Sequence, residues 1–328
     1  MGKRIVELDV TSGVLITKII IAHMCGYLSL HFFLDDILFF CSPWLAFKAG
    51  MFFRMKDVWY KQIRRDVDRL VIPFFCFGLL GILLVDILYF SGAVSTLPTL
   101  KGNVKSLLEC GTFPNSHHLW YLMTLFLAKT MMNVLQGKVN PYLIAITCFL
   151  LATLLTFSNC HLPLYVYNTL DAMFFFVFGY TMKDSQFEKG VARAALVVLI
   201  VIILLKPTRL DIFQNQLIYG WYPLWYPYSL AGIICINNLA RWLYSKIEFP
   251  NFMKFIPNSF SYVGRNSMFF YAAQGVLLKS GLYLGRYMKI TNNTIMVIFM
   301  LSFLIGSYIL LDNLLNKFPR FRRFIIGK

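Results

Sequence analysis

The sequence predicts an all-α polytopic membrane protein, one domain over residues 1–328 with about ten transmembrane helices and both termini in the cytoplasm. Three observations lead there. Of its 328 residues 58% are hydrophobic and 14% charged, with a mean hydropathy of +0.64, whereas a soluble domain carries about 25% charged residues. Apolar runs recur at close to the ~20 residues that a helix needs to cross a bilayer. The cations between those runs alternate in density, as expected when cytoplasmic loops collect Lys and Arg.

Taken in order, the spans are roughly 10–31, 36–55, 70–92, 118–136, 141–159, 164–182, 190–206, 217–243, 259–281 and 293–315. The first carries Lys18 and His23, and the second carries Lys48 within SPWLAFKAGMFFR. Between the second and third lies the most basic stretch, KDVWYKQIRRDVDR, expected to lie along the inner membrane surface as an amphipathic helix. The longest external loop, 93–117, holds a short amphipathic piece, VKSLLEC. The seventh span is the shortest. The eighth opens on Trp221-Tyr222-Pro223 and Trp225-Tyr226-Pro227, which read as an interfacial aromatic belt or, alternatively, as a platform for stacking sugars.

Charge placement tests this frame. With the N-terminus inside, the external segments hold only Lys101, Lys105, Lys206, Arg209, Lys279, Arg286 and Lys289 of the 31 Lys and Arg residues. Lys18, Lys48 and Lys129 lie within spans, and the others, from Lys3 and Arg4 through Lys56 to Lys328, are cytoplasmic. Removing one span would invert the bias downstream.

The net charge of +16 does not point to nucleic acid, because the basic residues sit between apolar runs and form no single soluble face. The seven cysteines make no CxxC pair and no zinc spacing, and no residue set reads as a metal site. Cys110 and Cys160 fall in external loops and could pair. The N-terminus MGKRIVELDV shows neither a cleavable signal nor a myristoylation motif. No P-loop, GxGxxG, GxSxG or HExxH motif is present.

The residues able to carry chemistry are few. Asp9, Ser12 and His23 stand fourteen and eleven positions apart along LDVTSGVLITKIIIAH, close to whole turns of a helix, so they share nearly one face. An intramembrane polar stripe is costly in lipid and should face a protein interior or a water-filled cavity. His23 as a neutral imidazole can take a proton from a hydroxyl attacking an acyl group; the structural alternative is a histidine hydrogen-bonded within a helix bundle. Lys18 and Lys48 need an anion or water, and Asp86, Asp171 and Asp312 are the intramembrane carboxylates in reach. The alternative is a cationic funnel for a phosphorylated cofactor, completed by Arg54, Arg64, Arg65 and Arg69, which also read as topology residues. His117 and His118, being adjacent, point to different faces and do not suggest a metal pair.

Five stretches in order resemble the integral-membrane acyltransferase family 3, which includes polysaccharide O-acetyltransferases and fucose 4-O-acetylase-like proteins. They are LDVTSGVLITKIIIAH, LFFCSPWLAFKAGMFFR, RRDVDRLVIPFF, HHLWYLMTLFLA and SYVGRNSMFFYAAQ. The resemblance implies transfer of an acyl group, usually acetyl, from acetyl-CoA or another acyl-CoA to a hydroxyl of a cell-surface polysaccharide or its lipid-linked precursor. It implies no permanently bound cofactor and a multi-pass place in a bacterial inner membrane. His23 matches the family's essential histidine as general base, with Asp9 orienting the helix start or the basic cluster. Lys48, Arg54, Arg65 and Arg69 would meet the CoA phosphates, and Trp120, Asn266 and Gln274 would meet substrate. The chain departs from the family pattern at Ser12, where an arginine is usual, at Gln274, where a histidine is usual, and at Asp66, where a basic residue is common. The rival expectation is a non-enzymatic carrier or scaffold for polysaccharide precursors on the same frame.

Overall fold

The computed structural model describes residues 5–34, 38–54, 59–92, 94–95, 99–114, 116–135, 137–158, 160, 162–246, 250 and 254–326. Lys3, Arg4, Lys56 and Lys328 of the charge count lie outside the described residues. Helices dominate: α1 (Val6–Tyr27), α2 (Cys41–Met51), α3 (Trp59–Asp66), α4 (Ile72–Phe90), α5 (Leu100–Cys110), α6 (Trp120–Leu135), α7 (Pro141–Phe157), α8 (Leu164–Thr181), α9 (Lys189–Leu205), α10 (Tyr222–Lys246), α11 (Phe255–Arg265), α12 (Ser267–Tyr287), α13 (Asn293–Lys317) and α14 (Pro319–Ile326). Among the described residues, three helical stretches are long and apolar enough to cross a membrane by length and composition, namely Val6–Tyr27, Trp59–Phe90 and Asn293–Lys317. Leu79, Leu83 and Ile87 on α4, and Ile298, Ile305 and Ile309 on α13, are exposed. Contiguous apolar surface of this kind suits lipid and not water.

Local chemistry accounts for the element ends. Asn140 and Asn292 cap α7 and α13 through their side-chain oxygens, accepting from Tyr142 N at 2.9 Å and from Thr294 N and Ile295 N at 2.9 and 3.1 Å. The VKSLLEC piece of the long loop is helical in α5, capped by Thr99 Oγ1 at 3.0 Å from Gly102 N and ended by Gly111 at φ 66°.

The structure differs from the sequence expectation in four places. The basic helix and the third span are continuous, because α3 passes into α4 through a π turn at Val67–Val71, just ahead of Pro73, which has no N–H to give the preceding turn. The stretch before α10 is a short antiparallel hairpin, β1 (Arg209–Asp211) and β2 (Gln216–Tyr219), so the eighth helix begins at Tyr222 and not at 217. Asp211 Oδ1 organises the turn by accepting from Phe213 N at 3.0 Å, and Asn215 takes φ 49°. The two Trp-Tyr-Pro repeats do not form one belt. Trp221 is exposed beneath the Lys206 ammonium, 4.5 Å from its ring centroid, whereas Tyr222, Trp225 and Tyr226 are buried. Finally, Asp171 serves two tyrosines and not Lys18 or Lys48. Asp171 Oδ1 accepts from the hydroxyls of Tyr222 at 3.1 Å and Tyr226 at 2.5 Å, and Asp312 meets Arg322 at 3.5 Å. Cys110 and Cys160 form no disulfide.

The chain contacts gather into two units, each drawn from three separate stretches. The first holds residues 1–19, 33–59 and 127–267. Its close crossings are made by glycines: a Cβ at Gly50 would collide with the backbone of Phe176, and one at Gly179 with the backbone of Phe47, which lets α2 and α8 touch. Gly13 and Gly264 do the same for α1 and α11 against Phe260 and Asp9. Small residues at such crossings let backbones approach where lipid offers no hydrophobic drive to pack. A buried polar chain completes this unit: Trp44 Nε1 donates to Asn237 Oδ1 at 2.7 Å, and Asn237 Nδ2 donates to Gln186 Oε1 at 2.8 Å.

The second unit holds residues 20–32, 60–126 and 268–328. In it Tyr308 of α13 donates to the Phe270 carbonyl of α12 at 2.7 Å. Phe113 of the long loop packs on Phe74 of α4, with ring centroids 5.3 Å apart.

Candidate active site

The second unit brings together residues far apart in sequence. His23 sits in the last turns of α1, half-buried. Its Nδ1 lies 3.2 Å from Oε1 of Gln274, which is fully buried on α12. With a carbonyl-type oxygen as its partner Nδ1 is the donor, so the imidazole lone pair falls on Nε2. The other end of the same amide, Gln274 Nε2, is buried and finds no hydrogen-bond partner among the described residues.

A second imidazole adjoins the first. The ring of His118 lies 6.4 Å from that of His23, centroid to centroid, at 62°. His118 occupies the 3₁₀ turn His117–Leu119 that leads into α6, where the turn buries His118 and leaves His117 exposed. Its Nε2 donates to the Ala272 carbonyl at 3.2 Å, and its own carbonyl accepts from the Tyr271 hydroxyl. Gly275 makes room for it, because a Cβ there would overlap the His118 ring. Tyr271, Gln274, Gly275 and Leu278 follow helical spacing, so one stripe of α12 presents them together. Tyr121, whose ring is 5.9 Å from that of Tyr271, has a buried hydroxyl with no partner among the described residues.

The other expected residues fall as follows. Trp120 is buried beside Tyr121, their rings 5.7 Å apart, two residues beyond His118. Arg65 is half-buried on α3. Its Nη2 donates to Gln62 Oε1 at 2.5 Å, Gln62 Nε2 donates to Asp66 Oδ2 at 3.0 Å, and Arg65 Nε has no hydrogen-bond partner among the described residues. Asp66, at the position where a basic residue is common, is thus buried and holds the glutamine that holds Arg65. Arg69 is exposed in the π turn. These residues belong to the same unit as His23.

Asp9, Lys48, Arg54 and Asn266 belong to the other unit. Fourteen residues of helix separate Asp9 from His23, about 21 Å along the α1 axis. Asp9 Oδ1 faces Lys48 Nζ, one of the expected basic residues, at 3.6 Å, and that ammonium also lies 5.6 Å from the Trp44 ring centroid. Ser12, one turn further along α1, is fully buried, so the charge of Lys48 sits one turn from the position where an arginine is usual. Arg54 is exposed, and Asn266 closes α11 by donating from Nδ2 to the Tyr262 carbonyl at 3.1 Å.

A pair like Asp9–Lys48, shielded from water, is expected to be worth less than the damage done by breaking it from one side. Asp9→Asn and Lys48→Met should therefore each lower the melting temperature of the detergent-purified protein. The double variant should melt above at least one of the single ones. Additive losses in this cycle would show that the two groups do not interact.

His118 is a site residue that the sequence does not single out, since two adjacent histidines there speak only to the question of a metal pair. The available signal was a second imidazole at the mouth of an apolar span, which is itself costly and so calls for a partner. Among the described residues no cluster of His, Cys, Asp and Glu could hold a metal ion.

A family model described as an acyltransferase domain matches residues 5–312. No curated protein and no solved structure matches the chain.

Proposed function

The chain belongs to acyltransferase family 3, and from that premise we propose that it is a multi-pass O-acyltransferase. In this reading it moves acetyl from acetyl-CoA to a hydroxyl of a cell-surface polysaccharide or its lipid-linked precursor. The observation that carries the mechanism is the 3.2 Å contact of His23 Nδ1 with Gln274 Oε1, which assigns the basic lone pair to Nε2.

The acceptor hydroxyl gives its proton to His23 Nε2 as its oxygen bonds to the acyl carbon. The tetrahedral intermediate then expels the CoA sulfur, which takes the proton back from the imidazolium and leaves as the thiol. Burial of His118 and Gln274 beside His23 keeps competing water scarce around the reacting carbon. The Nε of Arg65, without a hydrogen-bond partner among the described residues, and the exposed Arg69 suit the phosphates of CoA at the cytoplasmic mouth. The ten-span frame with both ends in the cytoplasm and an inner-membrane location belong to this same proposal.

The test uses membranes containing the protein, labelled acetyl-CoA and the cell-envelope glycans of the host. Label entering a glycan, and absent with membranes lacking the protein, is the expected result. No transfer by folded protein, together with movement of a lipid-linked glycan in the absence of acyl-CoA, would favour the carrier.

A further inference from the structure

Gln274 has two polar ends, and His23 uses one of them. Oε1 accepts from His23 Nδ1 at 3.2 Å, while Nε2, fully buried, lacks a hydrogen-bond partner among the described residues. A buried donor with nothing to donate to destabilises a fold, and more so at membrane depth, where no bulk water substitutes. An acceptor arriving from outside would satisfy it. The amide is planar and short, so an oxygen bound at Nε2 lies beside the imidazole that Oε1 orients.

We propose that Gln274 Nε2 donates a hydrogen bond to the acyl carbonyl oxygen of the thioester. One amide then both orients the base and binds the oxygen on which charge develops. The inference rests on the acyl-transfer reading above. As the acceptor oxygen bonds to the carbonyl carbon, the C=O π electrons move onto that oxygen and the acceptor proton goes to His23 Nε2. The Nε2–H of Gln274 faces the resulting oxyanion. When the C=O bond re-forms, the C–S bond breaks and the sulfur leaves with the proton from His23. Donors placed in advance at a developing oxyanion act with full effect because they need no reorganisation as charge appears. The uncharged amide also adds no positive charge to a site that must hold an imidazolium next to a second imidazole.

The test separates carbonyl recognition from turnover. The purified protein is titrated with acetyldethia-CoA, the ketone in which a methylene replaces the thioester sulfur, and with ethyl-CoA, a thioether without the oxygen. The wild-type protein is expected to bind the ketone about tenfold more tightly, the size of one good hydrogen bond to a buried donor. Gln274→Glu keeps an acceptor for His23 Nδ1 and loses the donor. It should erase that preference and lower transfer of labelled acetyl by ~100-fold, as removal of one oxyanion donor does. Gln274→His, whose ring can accept at one nitrogen and donate at the other, should retain the preference.

If Gln274 only orients His23, or if its amide is turned so that Oε1 is the bare end, Gln274→Glu will keep both the preference and the turnover, which overturns the proposal. Where the buried carboxylate prevents accumulation of folded protein, Gln274→Leu gives the same binding comparison without needing the base. His23-dependent transfer alongside an unchanged preference in the variant would defeat this inference alone. Binding of neither analogue and no transfer by the wild-type protein would defeat the acyl-transfer reading and this one with it.

Discussion

His23→Ala is expected to reduce acyl transfer by ~10²–10⁴-fold, the range that a positioned general base contributes. The argument is one of placement. The imidazole is held at Nδ1 by Gln274, an uncharged residue that neither competes for the proton nor draws the ring into an ion pair. His23 is half-buried at the end of α1, and its neighbours on the ring side are the buried His118 and Gln274. Truncation to alanine therefore removes the base and leaves the apolar part of α1 unchanged. The variant should reach the membrane in normal amount and keep its melting temperature within a few degrees. The measurement is initial rate of label transfer at matched protein content. Wild-type turnover by His23→Ala would remove His23 from the chemistry and leave it as a packing residue.

Gly275→Val is expected to have the second large effect, through a different cause. A Cβ at this position would overlap the imidazole of His118, so the valine must push α12 away from the turn that carries His118. That displacement stretches the His118–Ala272 bond at 3.2 Å and carries Gln274, the next residue, away from His23. Overpacking of this kind costs roughly 1–3 kcal/mol, and a shift of about 1 Å at a reacting geometry can cost ~100-fold in rate. Both losses should appear together, as a lower melting temperature and a slower transfer. The cause can be isolated with His118→Ala, which removes the ring that the valine strikes. In that background Gly275→Val should lower the melting temperature by much less. An equal drop in both backgrounds would mean that the ring is not the obstacle.

Much of this molecule is legible along the chain. Apolar runs of spanning length mark lipid as the solvent, and the helices follow because a backbone in hydrocarbon must satisfy its own hydrogen bonds. The five stretches that carry the family resemblance lie in helices or at their entrances, and in the structure several of them meet. The glycine of LDVTSG packs on the backbone of α11 near SYVGRNS, and HHLW packs against α12 at Gly275, the residue that follows SMFFYAAQ. His23 stood out because an ionisable group within an apolar span is costly wherever it is found.

What a linear reading could not see was partnership. Asp9, Ser12 and His23 share a helical face, yet a helix face is long, and two residues on it can serve different neighbourhoods. Asp9 meets Lys48, while His23 meets Gln274 and His118, which follow it by hundreds and by scores of residues. Trp225 and Tyr226 look like interfacial anchors by composition, but the hairpin ahead of them and the tyrosine contacts to Asp171 draw them inward. Gln274 reads in sequence as the loss of a titratable group. Packing makes it the holder of His23 and leaves its amide nitrogen without a partner among the described residues.

By itself, then, the sequence determined the solvent, the helical class, the family and the candidacy of His23 as an imidazole within an apolar span, since each of these depends on composition or on near neighbours. The tertiary structure alone decided which carboxylate meets which cation, which histidine joins His23 and which buried donor stays unpartnered. Those pairings depend on where distant helices cross, and the crossings depend on close contacts such as Gly275 against His118 that no local periodicity records.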